Sequence, residues 1–338
     1  MTDRDEPASE RKSTPGPGKL PPEVLKNHVL RYFGARREEV LVGPGLGEDA
    51  AVIRWNDASY LVASSDPVVG ATDGAGRLLV HINANDIACK GGDPAWFIVT
   101  LIVPTENGLA YIHSTMEEIH GVCEELGIAV VGGHTELTDR YERPVMTGTM
   151  MGPSRYDLRA SRIQNGDVVL VTKHVGLEGM SILAHDRPDL LSFLNEKELE
   201  EVRSWQKDLS ILKEARLLRD LVRYMHDPTE GGLAGGLLEV QGACGLALDL
   251  NVEDIPVSPL TLCAAEKIGF DPLHLISSGV LLAVLPPDNA REALSRLSGE
   301  GIEASLIGRF EAAGRRRELK RLSDAHEELW SILAKPLL

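Results

Sequence analysis

Several features that would place a sequence in a familiar functional class are missing from these 338 residues. The four cysteines include no C-x-x-C pair, so the sequence predicts neither a zinc site nor a disulfide framework. There is also no long apolar run and no signal sequence, so a membrane span is not expected. Together these absences favour a reduced, cytoplasmic location.

An excess of positive charge is also missing, because 35 Lys and Arg residues face 51 Asp and Glu residues, a formal net charge of −16. Nucleic-acid and acidic-membrane binding are therefore not expected, since both depend on basic groups that neutralise phosphates. An anionic substrate would need help from a cation. The one basic cluster, Arg155, Arg159 and Arg162, is either a solvated linker or a phosphate contact.

Neither of the common phosphate-binding loops occurs. The sequence contains no G-x-x-x-x-G-K-[ST]. Gly43, Gly45 and Gly47 precede an apolar strand-like run, whereas a dinucleotide-binding glycine loop opens a helix. A nucleotide would have to be bound by other means.

Alternating strand-like and helix-like segments indicate an α/β or α+β protein of two domains. We expect a mobile tail over 1–18, an N-terminal domain over 19–153 and a C-terminal domain over 154–338, with the boundary near Pro153 where the composition becomes polar. Predicted strands are EEVLV, AAVIRW, SYLVASSD, WFIVTLIVP, the buried-looking IAVVGG, PVMTGTMMG, DVVLVTK and LLAVLPP. Predicted helices are LPPEVLKNHVLRYFG, RLLVHINANDIACKGG ending at Gly91, LAYIHSTMEEIHGVCEELG, the regions 198–224 and 231–242, and a final segment ending at Leu338.

Five carboxylates recur beside small residues at or just outside apolar elements: Asp49, Asp66, Asp86, Glu136 and Asp227. If they converge, two charges about 4 Å apart repel by roughly 4 kcal/mol at an effective dielectric near 20. Such a cluster would require a cation. Hard oxygen ligands select Mg²⁺ or Mn²⁺, and Mg²⁺ is commonly shared with substrate phosphates. An acidic protein could bind ATP in this way.

Each carboxylate also has a structural interpretation. Asp49 is a turn residue or a ligand, and Asp66 is a ligand or forms an Asx contact before Pro67. Asp227 has the spacing of a helix N-cap, with Glu230 at the third helical position, and spacing alone favours the cap. Asp86 favours a ligand role, because an unpaired aspartate inside an apolar helix is costly to bury.

Four histidines and Glu48 are harder to assign. His113 and His120 are predicted to be surface residues of their helix. His134 and His226 lie inside glycine-containing motifs, where each is a base, a support for a ligand or a structural residue. Glu48 is either a second ligand or the neighbour of one.

Six motifs follow one another along the chain: GEDAAV, SSD, NDIACKGGDP, VVGGHTE, RASRIQNGDVVLVT and HDPTEGGLAGGLLE. Taken together, they resemble the ordered motif set of the aminoimidazole ribonucleotide (AIR) synthase superfamily over nearly the whole chain after Gly18. The superfamily includes AIR synthase itself (PurM), the hydrogenase maturation proteins of the HypE type, thiamin-monophosphate kinase and selenophosphate synthetase. GKLPPEVL and the D-P-T-x-G-G-L-A motif at 227–234 look most like the HypE type.

The resemblance implies a mixed α+β, PurM-like fold whose N-terminal sheet pairs across a homodimer and whose C-terminal domain closes over a nucleotide. It implies ATP held through Mg²⁺ (or Mn²⁺) on Asp49, Asp66, Asp86, Glu136 and Asp227. Catalytic roles would fall to Asp49, Asp86, Asp227 and His134. Nucleotide binding would fall to Gly47, Asp66, Asn85, Lys90, Gly132, Gly133, Thr135 and Arg162.

The implied activity is transfer of the ATP γ-phosphoryl group to an amide-type or other oxygen, with release of ADP. HypE-type proteins end in Pro-Arg-Ile-Cys, whereas this sequence has Ala334 to Leu338 there, so we expect a free substrate or a partner protein's group as the acceptor. Glu230 also stands where HypE-like sequences usually have arginine. The alternatives are a small-metabolite kinase and a non-catalytic ATP-binding assembly factor.

Overall fold

The computed structural model describes residues 22–23, 26, 38–43, 45–56, 59–69, 74–106, 108–312, 322 and 326–336. Residues 37–338 form one unit and residues 1–36 another. The tail predicted over 1–18 lies outside the described residues. The same holds for the helix predicted over 20–34, apart from Pro22, Glu23 and Lys26.

The first sheet has the strand order β1-β2-β3-β6-β4-β5. Its neighbouring strands are antiparallel except for β4 and β5, which are parallel because the helix Gly108–Leu126 connects them as a crossover. The six strand predictions in this half are confirmed, although bounds shift by a few residues. The strands are β1 (Val40–Val42), β2 (Ala51–Asn56), β3 (Ser59–Val69), β4 (Trp96–Pro104), β5 (Ala129–Thr138) and β6 (Val145–Ser154).

The second sheet is antiparallel and has the order β8-β10-β7-β11-β9. The predictions for β7 and β10 are confirmed. The helical region predicted over 198–224 is two separate helices, Glu196–Ser204 and Leu212–Leu218, with a 3-10 helix between them. Its end is also wrong, because Tyr224 begins a buried strand that pairs with β10. The strands are β7 (Val168–Thr172), β8 (Tyr224–His226), β9 (Ala247–Leu250), β10 (Leu282–Leu285) and β11 (Ala304–Glu311).

The helices of the described residues cover both halves of the chain. The last one ends at Leu333 and does not reach Leu338 as predicted, because Pro336 disfavours a helical conformation at the residue before it. The α-helices are α1 (Ala75–Cys89), α2 (Gly108–Leu126), α3 (Leu177–Asp186), α4 (Glu196–Ser204), α5 (Leu212–Leu218), α6 (Gly232–Cys244), α7 (Pro259–Ile268), α8 (Ala290–Gly299) and α9 (Glu328–Leu333). Short 3-10 helices cover Ala160–Arg162, Pro188–Leu191, Trp205–Asp208, Val252–Asp254, Pro272–His274 and Pro287–Asn289.

Helix α1 is the central element of the molecule. It starts after Gly74, whose φ of 73° is the left-handed conformation that glycine adopts without strain. Eleven of its fifteen residues are buried, as expected of a helix covered by protein on all sides. It contacts β3 and β6 of the first sheet and also α5 and β8 of the second half. Residues of α1 can therefore reach groups from both halves of the chain.

The hydrophobic core follows this arrangement. One cluster joins α1, α2 and the first sheet to one face of the second sheet, through residues such as Leu79, Phe97 and Leu170. A second cluster packs α6 against the opposite face of the second sheet. None of the helices in the described ranges has the length and apolar character needed to cross a membrane.

Strand β5 departs from its predicted environment. The run IAVVGG reads as buried, but every residue from Ala129 to Leu137 is exposed. The reason is topological: β5 is the last strand of the sheet as described and pairs only with β4 on one side. Hydrophobic composition cannot show whether an apolar strand is central or lies at an edge.

Helix α1 approaches β6 closely because Gly148 has no side chain. A Cβ atom there would lie 2.6 Å from Asn83 Nδ2 on α1 and 2.6 Å from the buried Phe97 ring. We expect Gly148→Ala to lower the free energy of unfolding by about 1–3 kcal/mol, the usual cost of overpacking. Denaturant titration measures the change in the free energy of unfolding.

Gly121→Ala on α2 is the matched control, because a Cβ atom there meets nothing within 4 Å. It should stabilise the protein by about 0.5–1 kcal/mol, since alanine is the better helix former. Equal effects of the two substitutions would contradict the close packing of α1 on β6.

Candidate active site at the junction of the two sheets

Asp86 and Asp66 face each other across α1 and β3. Asp86 is 8% exposed although it carries a carboxylate. Ser64 Oγ donates a hydrogen bond to Asp86 and also lies 3.5 Å from Asp66 Oδ2 and 3.1 Å from the Asp49 carbonyl oxygen. Burial, then the hydrogen bond and charge of Asp66, then the charge of Asp49 raise the pKa of Asp86 well above its usual value. Three of the predicted carboxylates are therefore gathered here.

Asp227 approaches the same region from the second half of the chain. It is 2% exposed, and its Oδ2 accepts a hydrogen bond of 3.0 Å from Asn85 Nδ2 on α1. Burial and the charge of Asp49 raise the pKa of Asp227 to about 8. The N-cap interpretation is wrong, because α6 begins at Gly232 and its N-cap is Gly231 in the left-handed conformation. Asp227 is thus available for another role.

His226 links Asp49 to helix α6. Its Nδ1 lies 2.5 Å from Asp49 Oδ1, and its Nε2 lies 3.1 Å from Glu239 Oε2. Burial lowers the pKa of His226, but the charge and hydrogen bond of Asp49 and then the contact with Glu239 outweigh it and raise the pKa to about 10. His226 is therefore a buried cation within the acidic cluster at neutral pH.

The segment before Asp49 is held by contacts from both halves of the chain. Lys90, 0% exposed, places its Nζ 2.7 Å from Glu48 Oε2 and 4.6 Å from the centre of the Tyr224 ring. The Tyr224 hydroxyl donates to the Gly47 carbonyl oxygen. Gly47 has a φ of 69°, and a Cβ atom there would lie 2.9 Å from the Glu239 carbonyl oxygen. In this structure Lys90 and Glu48 bind each other.

Residues predicted on β5 lie apart from these carboxylates in the single chain. Glu136 and His134 are exposed and contact each other at 3.2 Å. Two strands, β6 and β4, stand between β3 and β5, a distance of roughly 14 Å at the usual strand spacing. Gly132 and Thr135 are also exposed. The packing of the sheet itself requires glycine at position 133, because a Cβ atom on Gly133 would lie 2.1 Å from the Val99 carbonyl oxygen of β4.

The arginine cluster binds a carboxylate of its own. Arg159 Nη2 donates to Asp157 Oδ2 at 2.7 Å, and Arg162 Nε donates to the same oxygen at 3.1 Å. Asp157 thus offsets part of their charge. Arg162 keeps 54% of its side chain exposed and Arg155 is exposed as well.

His113 and His120 are exposed on α2, as predicted.

The chemistry of the donors fits a hard cation. Within the described residues, Asp49 Oδ2 and Asp227 Oδ1 are buried carboxylate oxygens without a hydrogen-bond partner. Leaving such a charged acceptor unsatisfied is costly. In the described ranges, no group of three or more His, Cys, Asp or Glu side chains is arranged to hold a metal ion by itself. An open set of one or two carboxylates suits Mg²⁺, which keeps several waters and shares substrate phosphates.

Sequence reasoning named His226 and Gly47 but not the residues that contact them, and it did not single out Tyr224. The sequence leaves His226 as a base, a support for a ligand or a structural residue, and its contact with Asp49, 177 positions away, fits the support. The same separation applies to Tyr224 and Gly47. The tight spacing of Glu48 and Asp49 was the only available signal, since adjacent carboxylates require separate partners.

The buried ion pair between Lys90 and Glu48 yields a stability prediction. Lys90→Met should lower the free energy of unfolding by about 3 kcal/mol or more, because Glu48 is left without its partner. The double variant Lys90→Met/Glu48→Gln should recover most of this loss, since no unpaired charge remains. Denaturant titration measures the free energy of unfolding of both variants. Equal destabilisation of the single and the double variant would contradict the pairing of Lys90 with Glu48.

Comparison with known proteins agrees with the motif pattern. Residues 47–153 match the family model "AIR synthase related protein, N-terminal domain", and residues 164–319 match the corresponding C-terminal domain. The carbamoyl dehydratase HypE of Rhizobium leguminosarum bv. viciae is 27% identical over 282 residues, which cover 75% of this chain and 76% of that protein.

Solved structures share the fold. A HypE in complex with ATP superimposes with a TM-score of 0.63 at 22% identity, covering 86% of each chain. AaThiL complexed with AMPPCP and TMP gives 0.66 at 18% identity, covering 80% of this chain and 87% of that one. A HypE–HypF complex gives 0.65 at 21% identity, covering 79% and 88%.

The two family models together span more than half of the chain, and the two sheets described above correspond to them. The predicted mixed α/β fold and the resemblance to HypE-like proteins are thereby confirmed. The chain belongs to the AIR synthase related protein family.

Proposed function

We propose that this protein is a Mg-ATP-dependent enzyme of the HypE-like group. It transfers the γ-phosphoryl group of ATP to an amide-type or other oxygen, either of a small molecule or of a group on a partner protein. The acceptor oxygen attacks the γ-phosphorus, the bond from this phosphorus to the β,γ-bridging oxygen breaks, and ADP leaves. A phosphorylated amide oxygen becomes a leaving group, which permits dehydration.

The convergence of Asp49, Asp66, Asp86 and Asp227 carries this proposal. Two of the four have buried oxygens without partners in the described residues, and the pKa values of Asp86 and Asp227 are raised by burial and by neighbouring carboxylates. Mg²⁺ bound there would offset the charge of ATP phosphates, which the net charge of −16 otherwise repels. The protein's own contribution is to hold these oxygens in place and to exclude water.

The relatives support ATP-dependent chemistry. Proteins of similar sequence are named carbamoyl dehydratases, one structure of the same fold contains ATP, and another contains AMPPCP with TMP. A HypE–HypF complex supports a maturation protein as a partner.

The two family models also support a domain boundary near Pro153.

Release of ADP tests the activity directly. The purified chain is incubated with Mg-ATP and a panel of carboxamides, hydroxyl compounds and phosphate monoesters, and ADP is measured. Turnover with a carboxamide supports the dehydratase-type reaction, and turnover with a phosphate monoester or hydroxyl compound supports a metabolite kinase. ATP binding without ADP from any of these compounds would exclude them as acceptors and leave a partner protein's group or an assembly factor.

The metal-site assignment gives a second prediction. We expect Asp49→Asn and Asp86→Asn each to abolish Mg-dependent ATP binding in calorimetric titrations. Asp86→Asn should leave the metal-free protein as stable as the wild type or more so, because it removes a carboxylate from a site where carboxylates repel one another. Unchanged ATP affinity in both variants would remove the basis for the site.

We also propose that β5 pairs with its counterpart in a homodimer. An edge strand with exposed apolar residues such as Val130, Val131 and Leu137 is a surface that proteins usually cover. A twofold-symmetric pair would cover the same strand in both copies at once. Glu136 and His134 would then lie at the interface between subunits.

Light scattering after size exclusion tests the dimer. We expect twice the chain mass of 36.7 kDa for the wild type and a shift to one chain mass for Val131→Lys, which places a charge on the edge. Leu262→Lys on α7 is the matched control, because Leu262 is similarly exposed, at 52% against 54%. Monomeric wild type, or loss of the dimer in both variants, would contradict pairing through β5.

A further inference from the structure

We propose that His226 and Asn85 are positioning residues that form two reciprocal contacts between the halves of the chain. His226, from the second half, holds one oxygen of Asp49 in the first. Asn85, from the first half, holds one oxygen of Asp227 in the second. Each contact leaves the other carboxylate oxygen free to bind a divalent cation. This inference rests on the proposed Mg-ATP-dependent function.

The first contact fixes Asp49. His226 is 3% exposed at the end of β8, and its Nδ1 lies 2.5 Å from Asp49 Oδ1, while Asp49 Oδ2 has no hydrogen-bond partner among the described residues. Its Nε2 lies 3.1 Å from Glu239 Oε2 on α6. An ionised carboxylate only accepts hydrogen bonds, so Nδ1 carries the hydrogen of the contact with Asp49. His226 therefore donates to Asp49 through Nδ1, whereas its Nε2 lies at ion-pair distance from Glu239 without the geometry of a hydrogen bond.

The second contact fixes Asp227. Asn85 is 0% exposed, and its Nδ2 donates to Asp227 Oδ2 at 3.0 Å and to the Leu209 carbonyl oxygen at 2.9 Å. Its Oδ1 accepts from Ile211 N at 3.0 Å. Exchanging the amide oxygen and nitrogen would place oxygen against both acceptors, so this orientation is determined. Asp227 Oδ1 remains without a partner in the described part of the chain.

The two contacts complement each other in space. Asn85 is next to Asp86 on α1, and His226 is next to Asp227 at the end of β8, so each half supplies a proposed ligand and the residue that holds a ligand of the other half. A carboxylate with one oxygen held cannot rotate freely, which removes part of the entropic cost of cation binding. The geometry of the cation site thus depends on how the two halves are joined.

A matched pair of substitutions at His226 tests the proposal. His226→Asn keeps a donor near the position of Nδ1, facing Asp49, whereas His226→Gln keeps one near the position of Nε2, facing Glu239. Affinity for Mn²⁺ is measured by electron paramagnetic resonance on the full chain with a non-hydrolysable ATP analogue. We expect His226→Asn to bind nearly as the wild type and His226→Gln to lose about 10–100-fold, the usual effect of residues that orient metal ligands.

Asn85→Ala should lose Mn²⁺ affinity in the same range, because Asp227 Oδ2 is released. Two controls remove comparable groups elsewhere. His174→Asn removes an imidazole that lies against the Trp205 ring, and Asn289→Ala removes an amide that donates to the Leu221 carbonyl oxygen. Both controls should bind Mn²⁺ as the wild type does.

The outcomes separate the two levels of the proposal. Wild-type protein that fails to bind Mn²⁺ with the ATP analogue overturns the proposed function and this inference with it. Wild-type binding together with equal affinities of His226→Asn and His226→Gln, or unchanged affinity of Asn85→Ala, overturns the positioning roles alone. Loss confined to His226→Gln and Asn85→Ala supports them.

Discussion

Repulsion among buried carboxylates is the constraint on which the rest of this structure depends. At about 4 Å and an effective dielectric near 20, each close pair costs roughly 4 kcal/mol. The protein offsets this in three ways. Asp86 and Asp227 keep protons more readily because burial and neighbouring charges raise their pKa values, His226 supplies a buried positive charge, and two carboxylate oxygens remain available for a cation.

The fold provides this arrangement mainly through helix α1. The helix is buried nearly all round, so successive residues can serve different neighbours: Asn85 bonds to the second half of the chain, Asp86 faces β3, and Lys90 binds Glu48. The close approach of α1 to β6 at Gly148 fixes the distance between helix and sheet. Packing in the core thereby determines where the charged groups of the site lie.

Local patterns predicted most strands and helices, because composition and periodicity record burial along one element. They failed where the decisive neighbour is remote. The apolar run of β5 is compatible with a central strand, and only the sheet order makes it an edge. The spacing of Asp227 and Glu230 fits an N-cap, but Gly231 and the packing of Gly232 against the Leu273 carbonyl oxygen place the helix start later.

The carboxylates of the site were predictable as residue types beside small neighbours, and four of the five converge within one chain. Glu136 does not, because β5 lies at the far edge of the sheet. His226 and Asn85 were named from the sequence, but the carboxylate that each of them holds was beyond sequence reasoning. Glu48 and Lys90 are 42 positions apart, and nothing in either motif indicates that their charges pair in the interior.

The central claim is that Mg²⁺ and ATP bind jointly at this acidic junction. Thermal unfolding of the full chain tests it with Mg²⁺ alone, with a non-hydrolysable ATP analogue alone and with both. A ligand at a hundredfold excess over its Kd adds about 2.7 kcal/mol to the stability of the folded state. The account predicts that Tm rises by several degrees only when both are present. An unchanged Tm with both, or an equal rise with the analogue alone, would contradict it.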